Sequence, residues 1–304
     1  MSLFTQLSYL SFAYWSLRAY YSLFLRVYRV FFTSDKFLDL NKFGKWCMVT
    51  GCTQGLGKSF LGSLAERNFS LILVGPITEG LGDLASDLEL LYNVETKVID
   101  LDMTSRQVDY QKLEKEIEGL EIGILINNFS VNYGYPEYFL EVKDSQEVFN
   151  DIIWSNVVLV TQMCRIVMPQ MVERKKGVVI NISSTFALVP SPLMSVFAAS
   201  KAFVLKFSKD LSVEYGKKGI IVQCLCPGSI ANDEERWISP NSKVYVESAL
   251  TTIGKDSITT GFFPHTLVIG LIRVLWRLSP DTLIEWMTAI MERNRRRELS
   301  KTVY

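Results

Sequence analysis

Six short apolar runs recur along the chain: residues 46–49 (WCMV), 71–74 (LILV), 96–99 (TKVI), 123–126 (GILI), 177–182 (GVVINI) and 220–225 (IIVQCL). Each is too short for a helix and most are apolar throughout, the signature of strands buried on both faces. Between them, residues 58–67, 144–168 and 197–215 carry helical character. Strands alternating with helices predict an α/β domain, a doubly wound parallel sheet covered by helices on both sides.

The first 34 residues break this pattern. The first 17 carry no charged side chain, include Phe4, Tyr9, Phe12, Tyr14 and Trp15, and no acidic residue precedes Asp35. A membrane-spanning helix needs about 20 apolar residues, and Arg18 interrupts the run. On a helical wheel Ser8, Ser11, Arg18, Ser22, Arg26 and Arg29 fall in one sector, with aromatic and aliphatic residues around the rest. That suits an apolar N-terminal helix lying in a membrane interface with its arginines snorkelling, or embedded at a tilt. A helix packed on the domain's own core is the alternative. A cleaved signal peptide fits poorly, because the basic start and small-residue cleavage site are missing; a basic, acid-free segment leaves a mitochondrial address open.

Composition narrows the function. The 32 basic and 32 acidic residues balance, so no global field draws nucleic acid, and none is expected as a partner. The five cysteines form no C-x-x-C pair, which fits reduced thiols. With His265 the only histidine, no metal site is expected. The division expected is a membrane-associated helix over residues 1–40, a single domain over 41–290 and a basic tail over 291–304, the last carrying Arg293 and Arg295 to Arg297. Such a basic, apolar-flanked end suits an anionic membrane surface.

Candidate chemistry begins after the first run. Thr50-Gly51-Cys52-Thr53-Gln54-Gly55-Leu56-Gly57 joins it to the first helical pattern. Glycines between a strand and a helix let the backbone approach a pyrophosphate, which also gains from the helix N-terminus; this makes the sheet Rossmann-like, with Gly51, Gly55, Leu56 and Gly57 as candidate cofactor contacts. The second run ends in Gly75-Pro76, where an acid would hold a ribose 2′-hydroxyl and a base would favour a 2′-phosphate. Neither is present, so the sequence does not choose between the two. Residues 231–237, polar and loop-like, are read as a substrate lid.

With these residues in place, the chain from about residue 44 to 290 resembles the short-chain dehydrogenases/reductases. Thr50, Gly51, Gly55 and Gly57 match the family's T-G-x-x-x-G-x-G; Asn127 and Asn128 open its N-N-A-G, which here continues with Phe129 and Ser130. By resemblance, Asp102 contacts adenine, Asn156 anchors a proton-relay water, Ser184 orients the substrate, Lys201 serves both cofactor and catalysis, and Pro227-Gly228 lies on the nicotinamide side. Residues 119–128 and 171–177 resemble the branch of types three and twelve 17β-hydroxysteroid dehydrogenases and very-long-chain 3-oxoacyl-CoA reductases. That branch implies NADP(H), a lipid or steroid ligand and the endoplasmic reticulum membrane, and leaves a homodimer open.

One position departs. The family's S…Y-x-x-x-K reads here Ser184, Phe197, Lys201, as in the inactive hydroxysteroid dehydrogenase-like type of the same branch. A phenol beside an ammonium can protonate a carbonyl oxygen, whereas a phenyl ring has no proton to give. Such groups contribute on the order of 10²–10⁴ in rate. The expectation is a catalytically impaired member, with a weak NADPH-dependent reductase of 3-oxoacyl-CoA or 17-ketosteroids as the alternative.

Overall fold

The computed structural model describes residues 3–32, 38–231 and 236–301, and the chain divides into two compact units, Met1–Leu38 and Asp39–Tyr304. Among its described residues the first holds one helix, α1 (Leu3–Phe32). Within it the Arg18 guanidinium lies 5.5 Å over the ring of Trp15, a cation–π contact that keeps the charge beside an apolar body. The side chains of Ser22, Arg26 and Arg29, three members of the expected polar sector, lie outside the described residues.

The second unit runs β1 (Trp46–Thr50), α2 (Gly55–Ala65), β2 (Ser70–Gly75), α3 (Leu81–Tyr92), β3 (Thr96–Asp100), α4 (Tyr110–Glu116) and β4 (Ile122–Asn127). It continues with α5 (Ser145–Ile153), α6 (Leu159–Arg174), β5 (Gly177–Ile182), α7 (Ser195–Gly216), β6 (Ile220–Leu225), α8 (Ser242–Leu250), β7 (Ile258–Thr259), α9 (Phe263–Leu278) and α10 (Pro280–Lys301). The seven strands form one parallel sheet in the order β3-β2-β1-β4-β5-β6-β7. This is the Rossmann-like doubly wound architecture. Its strand order reverses at β1, so the crevice between the C-terminal ends of β1 and β4 is where ligands bind in sheets of this kind.

Strand parity explains the two layers. Cys47, Val49, Leu71, Leu73, Ile124, Ile126, Val178 and Ile180 face one side and pack with Phe60, Leu61 and Leu64 of α2, Leu81 and Leu88 of α3, and Tyr245 and Val246 of α8. Met48, Ile72, Val74, Leu125, Val179 and Val222 face the other, against Leu113 of α4 and Met163, Val167 and Met171 of α6. Successive side chains of a strand point to opposite faces, so a run needed on both sides must be apolar throughout.

The helical stretch expected from residue 144 is one continuous rod, Ser145–Arg174, with a π-turn at Trp154–Val158 between α5 and α6. It is long and apolar enough to cross a membrane, but more than half of its most apolar window is buried, as in a core helix. Residues 291–301, expected as part of a tail, are the second half of α10, and residues 302–304 lie outside the described residues. Of the stretch read as a lid, residues 232–235 also lie outside them.

Candidate active site

The glycine turn leaves β1 at Thr50, and its backbone explains its composition. Gly51 and Gly55 have φ of +63° and +55°, the left-handed region that favours glycine. Gly57 is required by contact: a Cβ there would lie 2.3 Å from the Gly51 carbonyl oxygen and 2.7 Å from Asn128 Nδ2. The turn is tied to the end of β4, because Asn128 Nδ2 donates to the Thr50 and Gly51 carbonyls at 3.2 and 2.7 Å. Thr50 Oγ1 in turn accepts the Asn128 and Phe129 N–H groups at 3.0 and 3.1 Å. Phe129 leans on Gly51 so closely that a Cβ on that glycine would sit 2.8 Å from Phe129 Cα. Leu56 packs inward on the α2 side of the core.

Asp102 stands past the end of β3. Its Oδ1 accepts from Thr104 Oγ1, Thr104 N and Ser105 N at 2.6, 3.0 and 3.3 Å. These bonds, the Thr104 hydroxyl first, hold its carboxyl below the usual range.

Ser184, Phe197 and Lys201 come together where β5 passes into α7. Ser183 N–H donates to the Leu225 carbonyl and Ser183 Oγ to the Lys201 carbonyl, both at 2.7 Å, pinning the strand end to the helix. Ser184 is extended, half-buried, and its Oγ accepts the Phe186 N–H at 3.3 Å. Lys201 is buried; its Nζ donates to the Ile182 carbonyl at 3.1 Å and lies 5.6 Å from the centre of the Phe197 ring. Burial pushes this ammonium down to about 8, with the neighbouring Cys224 and Cys226 thiols pulling the other way. Phe197 itself is buried and meets Phe186 edge-on at 6.1 Å.

Asn156 sits fully buried in the π-turn, a distortion often found at functional sites. Its side chain makes paired bonds of 2.9 Å to the N–H and carbonyl of Val131, and Nδ2 donates to Ser200 Oγ at 3.0 Å. Ser200 donates on to the Phe197 carbonyl at 2.7 Å. The asparagine therefore joins the loop after β4 to the turn of α7 that carries Phe197.

Pro227 and Gly228, the pair expected on the nicotinamide side, are held by distant partners. Pro227 accepts Thr185 N–H at 2.9 Å, and Gly228 N–H donates to His265 Nδ1 at 3.2 Å. The opposite ring nitrogen of His265 lies 3.1 Å from the Ile238 carbonyl. Burial lowers the pKa of His265, and a neutral ring with hydrogen on Nε2 satisfies both bonds.

Several of these residues have no motif in the sequence. Asn181 bridges Asn127 and Ser208 at 2.8 and 2.9 Å, bracing β4, β5 and α7. Tyr133 shares an apolar cluster with Phe197, Leu193, Met194 and Met291 of α10. Its hydroxyl accepts Val196 N–H at 3.0 Å, and burial raises its pKa. Among the described residues no phenol is hydrogen-bonded to Lys201 or Ser184. The same side is closed by α10, whose Arg295 pairs with Glu137 and Glu141 at 2.5 and 2.8 Å while Glu292 accepts from Tyr138.

The profile of the short chain dehydrogenase family matches residues 45–242. Curated relatives include very-long-chain 3-oxoacyl-CoA reductase-A of Danio rerio, 42% identical over 248 residues, covering 80% of this chain and 76% of that protein. The very-long-chain 3-oxoacyl-CoA reductase of Mus musculus is 38% identical over 270 residues, covering 87% and 86%. Among solved structures, the bulky-bulky ketone specific alcohol dehydrogenase of Comamonas testosteroni superposes with a TM-score of 0.64 at 28% identity, covering 71% of this chain and 85% of that one. A short-chain dehydrogenase of Sphingobium yanoikuyae in complex with NADPH gives 0.63 at 26%, covering 70% and 86%.

Proposed function

We propose that this chain, which belongs to the short chain dehydrogenase family, is a reductase-type protein that receives a nicotinamide cofactor and a long-chain acyl or steroid ketone. In the same reading Phe197 makes it a slow or silent catalyst. The names of its relatives support the first part. The second rests on one observation, a phenyl ring 5.6 Å from the buried Lys201 ammonium where a phenol would be needed.

The residues present fit a dinucleotide. Gly57 gives the close backbone approach, since any Cβ there would fill the turn, and α2 opens at Gly55 with no side-chain cap at Gln54. Gly51, Gly55, Leu56, Gly57 and Asn128 would hold the pyrophosphate side, Asp102 the adenine end, and Lys201, Pro227 and Gly228 the nicotinamide side. When bound, the nicotinamide supplies the hydride for a carbonyl carbon. Ser184 offers a hydroxyl to a carbonyl oxygen, and Asn156 fixes the turn of α7 behind it. Lys201 can stabilise negative charge, but among the described residues no phenol is hydrogen-bonded to it to relay a proton.

The second reading, a weak NADPH-dependent reductase of very-long-chain 3-oxoacyl-CoA or 17-ketosteroids, is favoured by the presence of Ser184, Asn156 and Lys201 together and by the reductase relatives. There Ser184 or water would supply the proton. The deciding experiment follows cofactor consumption by the native chain and by Phe197→Tyr with a long-chain 3-oxoacyl-CoA and a 17-ketosteroid. The impaired reading expects turnover only in the variant; substantial native turnover establishes the second.

The protein is also proposed to associate with membrane, at the endoplasmic reticulum by resemblance and with the mitochondrion as alternative. Support comes from the aromatic α1 and from the exposed Leu267, Leu271, Val274 and Trp276 of α9, interleaved with Arg273 and Arg277. Carbonate extraction of the full chain beside one lacking residues 1–34 tests the role of α1: loss of membrane retention is expected, and unchanged retention contradicts it.

A further inference from the structure

The sequence leaves the 2′ position of the adenosine ribose undecided, because Gly75-Pro76 at the end of β2 carries no charge. The fold supplies one from three residues further on. A short helical turn, Ile77–Glu79, swings Glu79 back to the glycine turn, where Thr53 Oγ1 donates to Glu79 Oε2 at 2.9 Å. The negative charge of Glu79 is also felt at Cys52 in the same turn; burial pushes that thiol up to about 12, and Glu79 adds to the rise.

We propose that Glu79, held against Thr53 of the glycine turn, makes this chain select an unphosphorylated dinucleotide, NAD(H), over NADP(H). The inference rests on the cofactor reading above and reverses the preference that the resemblance implies.

The physical reason is charge. A 2′-phosphate would bring about two negative charges to the end of β2, where Glu79 stands past the end of β2, Asp100 is the last residue of β3 and Asp102 follows it. Asp100 faces the same turn, its Oδ1 accepting Ile77 N–H at 3.0 Å. The three segments that meet here, residues 50–57, 75–80 and 99–105, contain no lysine or arginine; of the basic residues that directly follow them, Lys58 lies in the first turn of α2 and Arg106 pairs with Asp151 at 3.5 Å. None of the three carboxylates is ion-paired with a basic side chain among the described residues. A ribose hydroxyl, by contrast, can donate to a carboxylate, the pairing that acids make at this edge of such sheets. Repulsion between exposed charges weakens with salt, so discrimination should be strongest at low ionic strength.

The test is equilibrium binding of NADH and NADPH to the full-length purified chain, followed by nucleotide fluorescence and calorimetry. At low salt the native chain is expected to bind NADH about tenfold more tightly than NADPH, with the gap narrowing as salt is added. Glu79→Gln should shrink the gap and Glu79→Arg should reverse it, while Thr53→Val, which removes the hydrogen bond but leaves the charge, should keep the preference. Equal or tighter NADPH binding by the native chain, or a gap unchanged in Glu79→Gln, overturns the inference while leaving the cofactor reading intact. Binding of neither nucleotide overturns the cofactor reading and this inference with it.

Discussion

The glycine turn and the 183–201 segment lie at the same C-terminal edge of one sheet, yet they differ in what their function would require of them. The turn would act through backbone, and the packing that would make it a phosphate cradle is also what holds the turn in the fold: a Cβ on Gly57 would meet the Gly51 carbonyl, and Asn128 and Thr50 lock the turn to β4. The second segment would need one acidic hydrogen, and Phe197 packs with Phe186, Tyr133 and Met194 without one. Fold and cradle are coupled, whereas fold and proton donor are not. A single atom can therefore leave while the architecture stays.

That contrast can be broken at three places, in falling order of effect. Gly57→Ala forces a Cβ against a backbone oxygen that cannot move freely. It should cost about 4 kcal/mol and abolish nucleotide binding, as measured by urea unfolding and cofactor titration. Retained binding at native stability would uncouple cradle from fold.

Next comes pH. The Lys201 ammonium is depressed from 10.5 to about 8 by burial, so between those values the unfolded chain holds a proton that the folded chain has released. Stability should rise with pH across that window, by about 3 kcal/mol relative to Lys201→Met, whose unfolding lacks this proton. Below about pH 8 the cost of burying the charge is present in full, and Lys201→Met should be the more stable protein. Parallel pH profiles for the two would place the lysine in water.

The smallest change is Tyr133→Phe. Its hydroxyl accepts Val196 N–H in the first turn of α7, so its loss should cost about 1 kcal/mol by thermal unfolding. Any residual reductase activity should not change. A drop in that activity would make Tyr133 a replacement acid and undo the contrast.

Much of this was legible in the sequence where one residue determines its own environment. The strands were readable because a run buried on two faces must be apolar, and the glycine turn because its backbone admits little else. Phe197 was readable from its spacing to Ser184 and Lys201. What escaped was set by distant partners. Glu79 reaches Thr53 across 26 residues and His265 reaches Gly228 across 37, and neither separation leaves a periodic trace. The strand β7 is two residues long, too short for any pattern. The arginines of α10 look like a solvated tail until Arg295 is seen beside Glu137 and Glu141, more than 150 residues earlier.

The most direct measurement is a single-turnover comparison of the native chain and Phe197→Tyr, each preloaded with reduced nicotinamide cofactor and mixed with excess long-chain 3-oxoacyl-CoA. Cofactor affinity should be alike in the two proteins, while the rate of cofactor oxidation should rise on the order of 10²–10⁴-fold in the variant. Equal rates, with equal affinity, would contradict the claim that the missing hydroxyl is what separates this chain from a working reductase.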